Sequence, residues 1–164
     1  MSDELAVLRV SAPRRIFAIG VMVILAGLLL SVASVRPPDD ALWRGFLAVL
    51  GGAILALGEA MRRATARSLR LTRDGLFDST GRELARMDEI TRVERGAFAL
   101  KPSNGFTVLL AAGRPPVWVP GVWWRIGRRI GVGGVTSAIE ARAMADILAA
   151  ALVERDRARE AGAE

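Results

Sequence analysis

The sequence predicts a membrane-spanning helical hairpin followed by a small β-rich domain of the α+β class, an antiparallel sandwich or barrel of about seven short strands with one C-terminal helix. Three observations lead there. Residues 16–35 form a run without a charge, and a second apolar run follows almost at once. From Ser68 the texture changes to short apolar pieces, some alternating with period two, punctuated by turn residues. After Ser137 the apolar period lengthens to that of a helix. The apolar fraction of 52% exceeds that of most soluble domains, and the excess lies before residue 62.

Residues 1–15 read as a short cytoplasmic segment ahead of the first span. Ile16 to Val35 supplies 20 uncharged residues, and at about 1.5 Å per residue such a run crosses a hydrocarbon core of roughly 30 Å. Arg14 and Arg15 precede it, and Arg36-Pro37-Pro38-Asp39-Asp40 ends it. Ser31-Val32-Ala33 resembles a signal-peptide cleavage site. The apolar cores of signal peptides run to about 7–15 residues, however, so this longer helix is expected to be retained. The second span, Ala41 to Met61, is weaker, because its uncharged core from Gly45 to Gly58 has only 14 residues. Trp43 and Arg44 at one end and Glu59 at the other can reach the interface; a buried or re-entrant helix is the alternative. Ala48, Gly51 and Gly52 are small enough to let the two helices pack closely.

Arginines set the expected orientation. Arg9, Arg14 and Arg15 lie before the first span and Arg62, Arg63, Arg67 and Arg70 after the second, whereas the connector sets Arg36 against Asp39 and Asp40. That bias places both ends of the chain in the cytoplasm.

Residues 62–153 read as the cytoplasmic domain. Ser68 to Thr72 alternates, Arg73-Asp74-Gly75 turns the chain into Leu76-Phe77-Asp78, and Ser79-Thr80-Gly81-Arg82 is a second turn. Glu83–Met87, Ile90–Glu94, Ala97–Leu100, Phe106–Leu110 and Val117–Val119 are the remaining strand candidates, with Asn104-Gly105 as a hairpin signal. Gly131-Val132-Gly133-Gly134 reads as a tight turn between the last strand and the helix. Ser137-Ala138-Ile139-Glu140 has the form of a capping box, and a helix over about 137–154 follows, with Ile139, Ala143, Met144, Ile147, Leu148, Ala151 and Leu152 on one apolar face. Residues 155–164 read as a charged, frayed tail.

A membrane hairpin followed by short strands and one amphipathic helix resembles small bacterial membrane proteins that carry bacterial pleckstrin-homology-like (PH-like) domains. The resemblance rests on Leu71-Thr72-Arg73-Asp74-Gly75-Leu76, similar to that family's Thr-x-x-Gly hairpin. It rests also on Met87-Asp88-Glu89-Ile90, where Met87-Asp88 replaces the family's tryptophan. It covers residues 16–153 and implies a fold that binds more readily than it catalyses.

The residues point the same way. The chain has no histidine and no cysteine, which removes the usual general base near neutral pH, thiol nucleophiles, and nearly all zinc and haem ligation. No enzyme activity, cofactor or metal is expected. Asp88-Glu89 is the only adjacent acidic pair in the folded domain and reads as a solvated turn. The glycines at 127, 131, 133 and 134 make no phosphate-binding pattern. The charge of +6 comes from 22 arginines and one lysine, a skew that reflects genomic base composition, so no nucleic-acid partner is expected. One segment stands out. Trp123, Trp124, Arg125, Arg128 and Arg129 fall within seven residues, and tryptophan with arginine suits the lipid headgroup layer. They are the candidate contact with anionic lipid or a protein partner; the alternative is that the rings complete the core. The expected function is a non-enzymatic membrane protein whose domain makes protein or anionic-lipid contact. The alternative is an accessory subunit of a larger membrane complex, associating with a membrane protein or with itself through the hairpin.

Overall fold

The apolar runs become two long helices, α1 (Ala12–Val35) and α2 (Ala41–Ala64), of 24 residues each, in a computed structural model that describes residues 4–35, 38–95 and 105–162. Asp40 caps α2, its carboxylate accepting from the Leu42 N–H at 2.8 Å. Both helices are long and apolar enough to cross a membrane, and only 11% of the most apolar window of each is buried. Ile24, Leu28 and Val49 stand open to the surroundings, so neither helix is buried within this chain. The two pack closely through the glycines of α2, Gly51 against Leu30 and Ala26 of α1 and Gly58 against Met22. A Cβ on Gly51 would stand 2.8 Å from Leu30 Cγ. Gly52 and Ala48, expected to share this contact, face outward.

The segment before α1 is not a separate tail. It forms strand β1 (Glu4–Leu8), which pairs antiparallel with β2 (Leu69–Thr72), the first strand after α2. The helical hairpin is therefore an excursion between two neighbouring strands of one sheet. β3 (Gly75–Asp78) and β4 (Glu83–Arg86) extend that sheet in the order β1-β2-β3-β4. The turns between them fall at Arg73-Asp74 and Ser79 to Arg82, where Asp78 accepts from the Thr80 N–H at 2.6 Å.

A second sheet has the order β5-β6-β7, with β5 (Ile90–Glu94), β6 (Phe106–Val119) and β7 (Trp123–Val132). Two expectations are corrected here. Val117–Val119 is not a strand of its own but the far end of β6, and Gly131-Val132 lies inside β7, leaving Gly133-Gly134 to make the turn. The reason is the hairpin: Val119 pairs with Trp123 across Pro120-Gly121-Val122, and this pairing continues back to Phe106 and Val132. Ala97–Leu100 and Asn104 lie outside the described residues. Among the described residues the sheets stay separate and do not close into a barrel.

Helix α3 (Ala138–Ala161) covers the core. Ser137 caps it, its hydroxyl accepting from the Glu140 N–H at 3.4 Å. The reciprocal half of the capping box is diverted: the Glu140 carboxylate accepts from the Arg9 N–H at 2.6 Å, and the Ser137 N–H donates to the Arg9 carbonyl at 3.1 Å. The buried face is also rotated from the expected one. It consists of Ala141, Met144, Ala145, Leu148 and Leu152, while Ile139 is 82% exposed. Alanines at 141 and 145 allow closer approach to the sheets than isoleucine would. Nor does the helix stop near residue 154, because Arg155 donates to the carbonyls of Met87 at 2.6 Å and Ile90 at 2.8 Å. Leu8, Leu71, Leu76, Phe106, Ile130 and Trp123 fill the space between the layers.

The helix contact is testable. Gly51→Leu should overpack against Leu30 and cost about 1–3 kcal/mol in equilibrium unfolding in mixed micelles. Gly52→Leu, on the outer face, should change stability by less than about 0.5 kcal/mol.

Candidate functional site

β7 separates the five candidate residues by its alternation. Trp123 is 2% exposed and Arg125 is 7% exposed, both facing the interior. Trp124 points to the opposite side and lies over Gly131, where any Cβ would collide with the indole. Then the alternation breaks. Gly127 adopts φ +56°, Leu110 to Gly113 of β6 are opposed by Arg128 alone, and Arg128 and Arg129 both end up exposed. Arg128 Nε closes the bulge by donating to the Leu110 carbonyl at 2.9 Å. The break falls where β6 passes its last β5 partner, Leu110, and becomes an edge strand able to accommodate Pro115 and Pro116.

Arg125 is a structural cation. Its Nη1 donates to the Leu84 carbonyl at 3.0 Å and its Nε to the Pro115 carbonyl at 3.1 Å, joining β7 to β4 of the other sheet. Burial pulls its pKa below the ordinary range, and the like charges of Arg114 and Arg82 add to that. Arg114 makes the second bridge between sheets, donating to Glu83 at 2.9 Å and Glu89 at 2.7 Å. Hydrogen bonding to Glu83 first, and to Glu89, holds its pKa above the ordinary range. Asp88-Glu89 is accordingly divided between Asp88, paired with Arg86, and Glu89, committed to Arg114.

The exposed chemistry lies beside the segment. Trp118 of β6 is 65% exposed and Ile126 of β7 is 66% exposed. On one side of Trp118 is a mostly apolar groove with Pro116, Trp124 and Ile126. On the other is a cleft of about 500 Å³ between the end of α2 and the β6–β7 turn. It is lined by Ala56, Glu59, Ala60, Arg63 and Arg67 from the α2 side and by Arg82 and Trp118 from the sheets. Gly121, at φ +77°, lets the turn seat against Met61 of α2; a Cβ there would stand 2.8 Å from Met61 Cε. The signal for Trp118 was present in the sequence. Period-two alternation from Val117 and Val119 puts it on the outside of a strand once that strand is recognised. Arg63, Arg67 and Arg82 come together only through the fold.

No protein-family model, curated protein or solved structure matches this chain.

Substitutions separate the buried from the exposed half of the segment. Trp123→Ala should cost about 3–5 kcal/mol of stability. Arg125→Gln should cost about 1–3 kcal/mol by leaving the buried Leu84 carbonyl without this donor. Arg129→Gln should stay within about 0.5 kcal/mol. Thermal unfolding of the full chain in micelles reads all three.

Proposed function

We propose that this chain is a non-enzymatic integral membrane protein of the bacterial inner membrane, with both of its ends cytoplasmic, whose PH-like domain is held against the bilayer and makes contact with anionic lipid or a membrane partner. One observation carries the reading: the domain's sheet runs directly into both ends of the hairpin, through β1 on one side and β2 on the other. A domain joined this way has no free linker, so its nearest surface stays at the headgroup layer. Arg14 donates to the Thr136 carbonyl at 3.0 Å, and Arg15 to the Arg62 carbonyl at 3.3 Å, which adds polar ties at the same junction.

Two further features support the reading. Arginines flank the hairpin where it meets the domain, the arrangement that orients cytoplasmic segments. The sheets of four and three antiparallel strands and the C-terminal helix make an α+β domain, the class to which the PH-like resemblance also points. The chain order differs from that implied, since the first strand precedes the hairpin. Within the Trp/Arg segment, the contact belongs to Arg128, Arg129 and the outer face of Trp124, because Trp123 and Arg125 are committed to the interior. The exposed groove beside Trp118 favours a second reading, an accessory subunit that docks a partner on this edge.

Topology tests the proposal. Reporters fused before Ser2 and after Glu164 should both read cytoplasmic. A periplasmic signal from either would overturn it.

A further inference from the structure

The cleft at the base of α2 has the composition of a phosphate site and the location of a lipid site. In α2 the uncharged stretch ends at Gly58, and Glu59, Arg62 and Arg63 follow. Arg15 of α1 donates to the Arg62 carbonyl, so the charged ends of both helices lie at one level. In a bilayer crossed by α1 and α2 that level would fall at the boundary between hydrocarbon and water, and the cleft is lined by residues of α2 on either side of it. Its lower wall is the alanine surface of Ala56 and Ala60, and Trp118 stands at its edge.

Its arginines are held in place by partners that only partly neutralise them. Arg63 Nε donates to Glu59 at 2.7 Å, and Glu59 also serves Arg62. Arg67 lies 3.5 Å from the buried carboxylate of Asp78. The Arg82 guanidinium sits over the Trp123 ring, 5.8 Å from its centroid. The cleft is thus lined by three arginines, Arg63, Arg67 and Arg82, and by one carboxylate, Glu59, with Asp78 paired to Arg67, so positive charge is in excess around the concavity.

We infer that this cleft binds the headgroup of one anionic phospholipid. The phosphate lies among Arg63, Arg67 and Arg82, the acyl chains run along Ala56 and Ala60, and the Trp118 indole rests at the glycerol level. Guanidinium matches phosphate oxygens in geometry as well as charge. A soluble phosphate would share the first contacts but would leave the alanine wall and Trp118 without a partner. The site rests on the proposal that the domain lies against the bilayer, and it adds a defined stoichiometry and location.

Native mass spectrometry of the full chain, released from micelles containing phosphatidylglycerol and phosphatidylcholine, tests it. One phosphatidylglycerol should be retained in preference to phosphatidylcholine. Arg63→Gln with Arg82→Gln should weaken that retention about thirtyfold, as expected for two cations near an anionic group. Ala60→Trp, which fills the cleft without changing charge, should also displace the lipid, and it covers the case in which the double variant fails to fold. Arg157→Gln with Arg159→Gln, on the exposed end of α3 and outside the cleft, should leave retention unchanged. Equal retention of both lipids, undiminished retention in the cleft variants, or displacement by millimolar inorganic phosphate would each overturn the site. None of these would reverse the topology on which the broader reading depends.

Discussion

Strand β1 and strand β2 are separated by the whole helical hairpin, yet they pair, Val7 with Arg70 and Leu8 with Leu69. The rest of the architecture depends on this pairing. It closes a loop of chain around α1 and α2, so the two helices leave and re-enter the domain at adjacent points. The short connector at the far end and the strand pair at the near end together hold the helices side by side. Ala26, Gly51 and Gly58 then need only supply close packing, which in a bilayer is the main source of helix association. The same pairing fixes where the domain sits. Ser11 continues the strand by donating to the Val135 carbonyl at 2.9 Å, and Val10 bridges to Thr136 just ahead of α3. The chain before the hairpin is thereby stitched to both the first sheet and the start of the last helix.

Arginine performs two kinds of work here. Arg14, Arg15, Arg125, Arg128 and Arg155 all donate to backbone carbonyls at points where one element meets another. A guanidinium can satisfy carbonyls that strand pairing leaves over, and one such bond contributes about 1.5–3 kcal/mol when its donor is charged. The high basic content of this domain is thus partly structural. What remains for recognition is the subset near the hairpin, where Arg63, Arg67 and Arg82 surround a concave surface. The overall charge does not distinguish these two roles; burial and hydrogen-bond partners do.

The parts of the fold that were legible in the sequence are those decided locally. A run from Ile16 to Val35 without charge is legible as a helix long and apolar enough to cross a membrane, and Ser137 reads as an N-cap from its own hydroxyl. β1 was missed because Glu4 to Leu8 is short and becomes a strand only through a partner about sixty residues away, beyond the reach of local pattern. The phase of α3 was misjudged because hydropathy ranks Ile139 above Ala141, whereas contact with a sheet favours the smaller residue. The Trp/Arg segment failed as a unit for a related reason. Composition brings Trp123, Trp124 and Arg125 together, but a strand sends neighbours to opposite faces, and the bulge at Gly127 then changes the phase. The cleft arginines come from α2, the chain just after it and the β3–β4 turn, so no stretch of sequence contains them.

The most direct measurement is a disulfide across β1 and β2. The chain has no cysteine, so Val7→Cys with Arg70→Cys creates a single possible pair, at positions directly opposed in the register. Oxidation of the full chain in membranes, followed by peptide mapping, should recover the cross-linked peptides in high yield with the first helix still attached. Free thiols at both positions in folded protein, or a chain that begins after α1, would contradict the account.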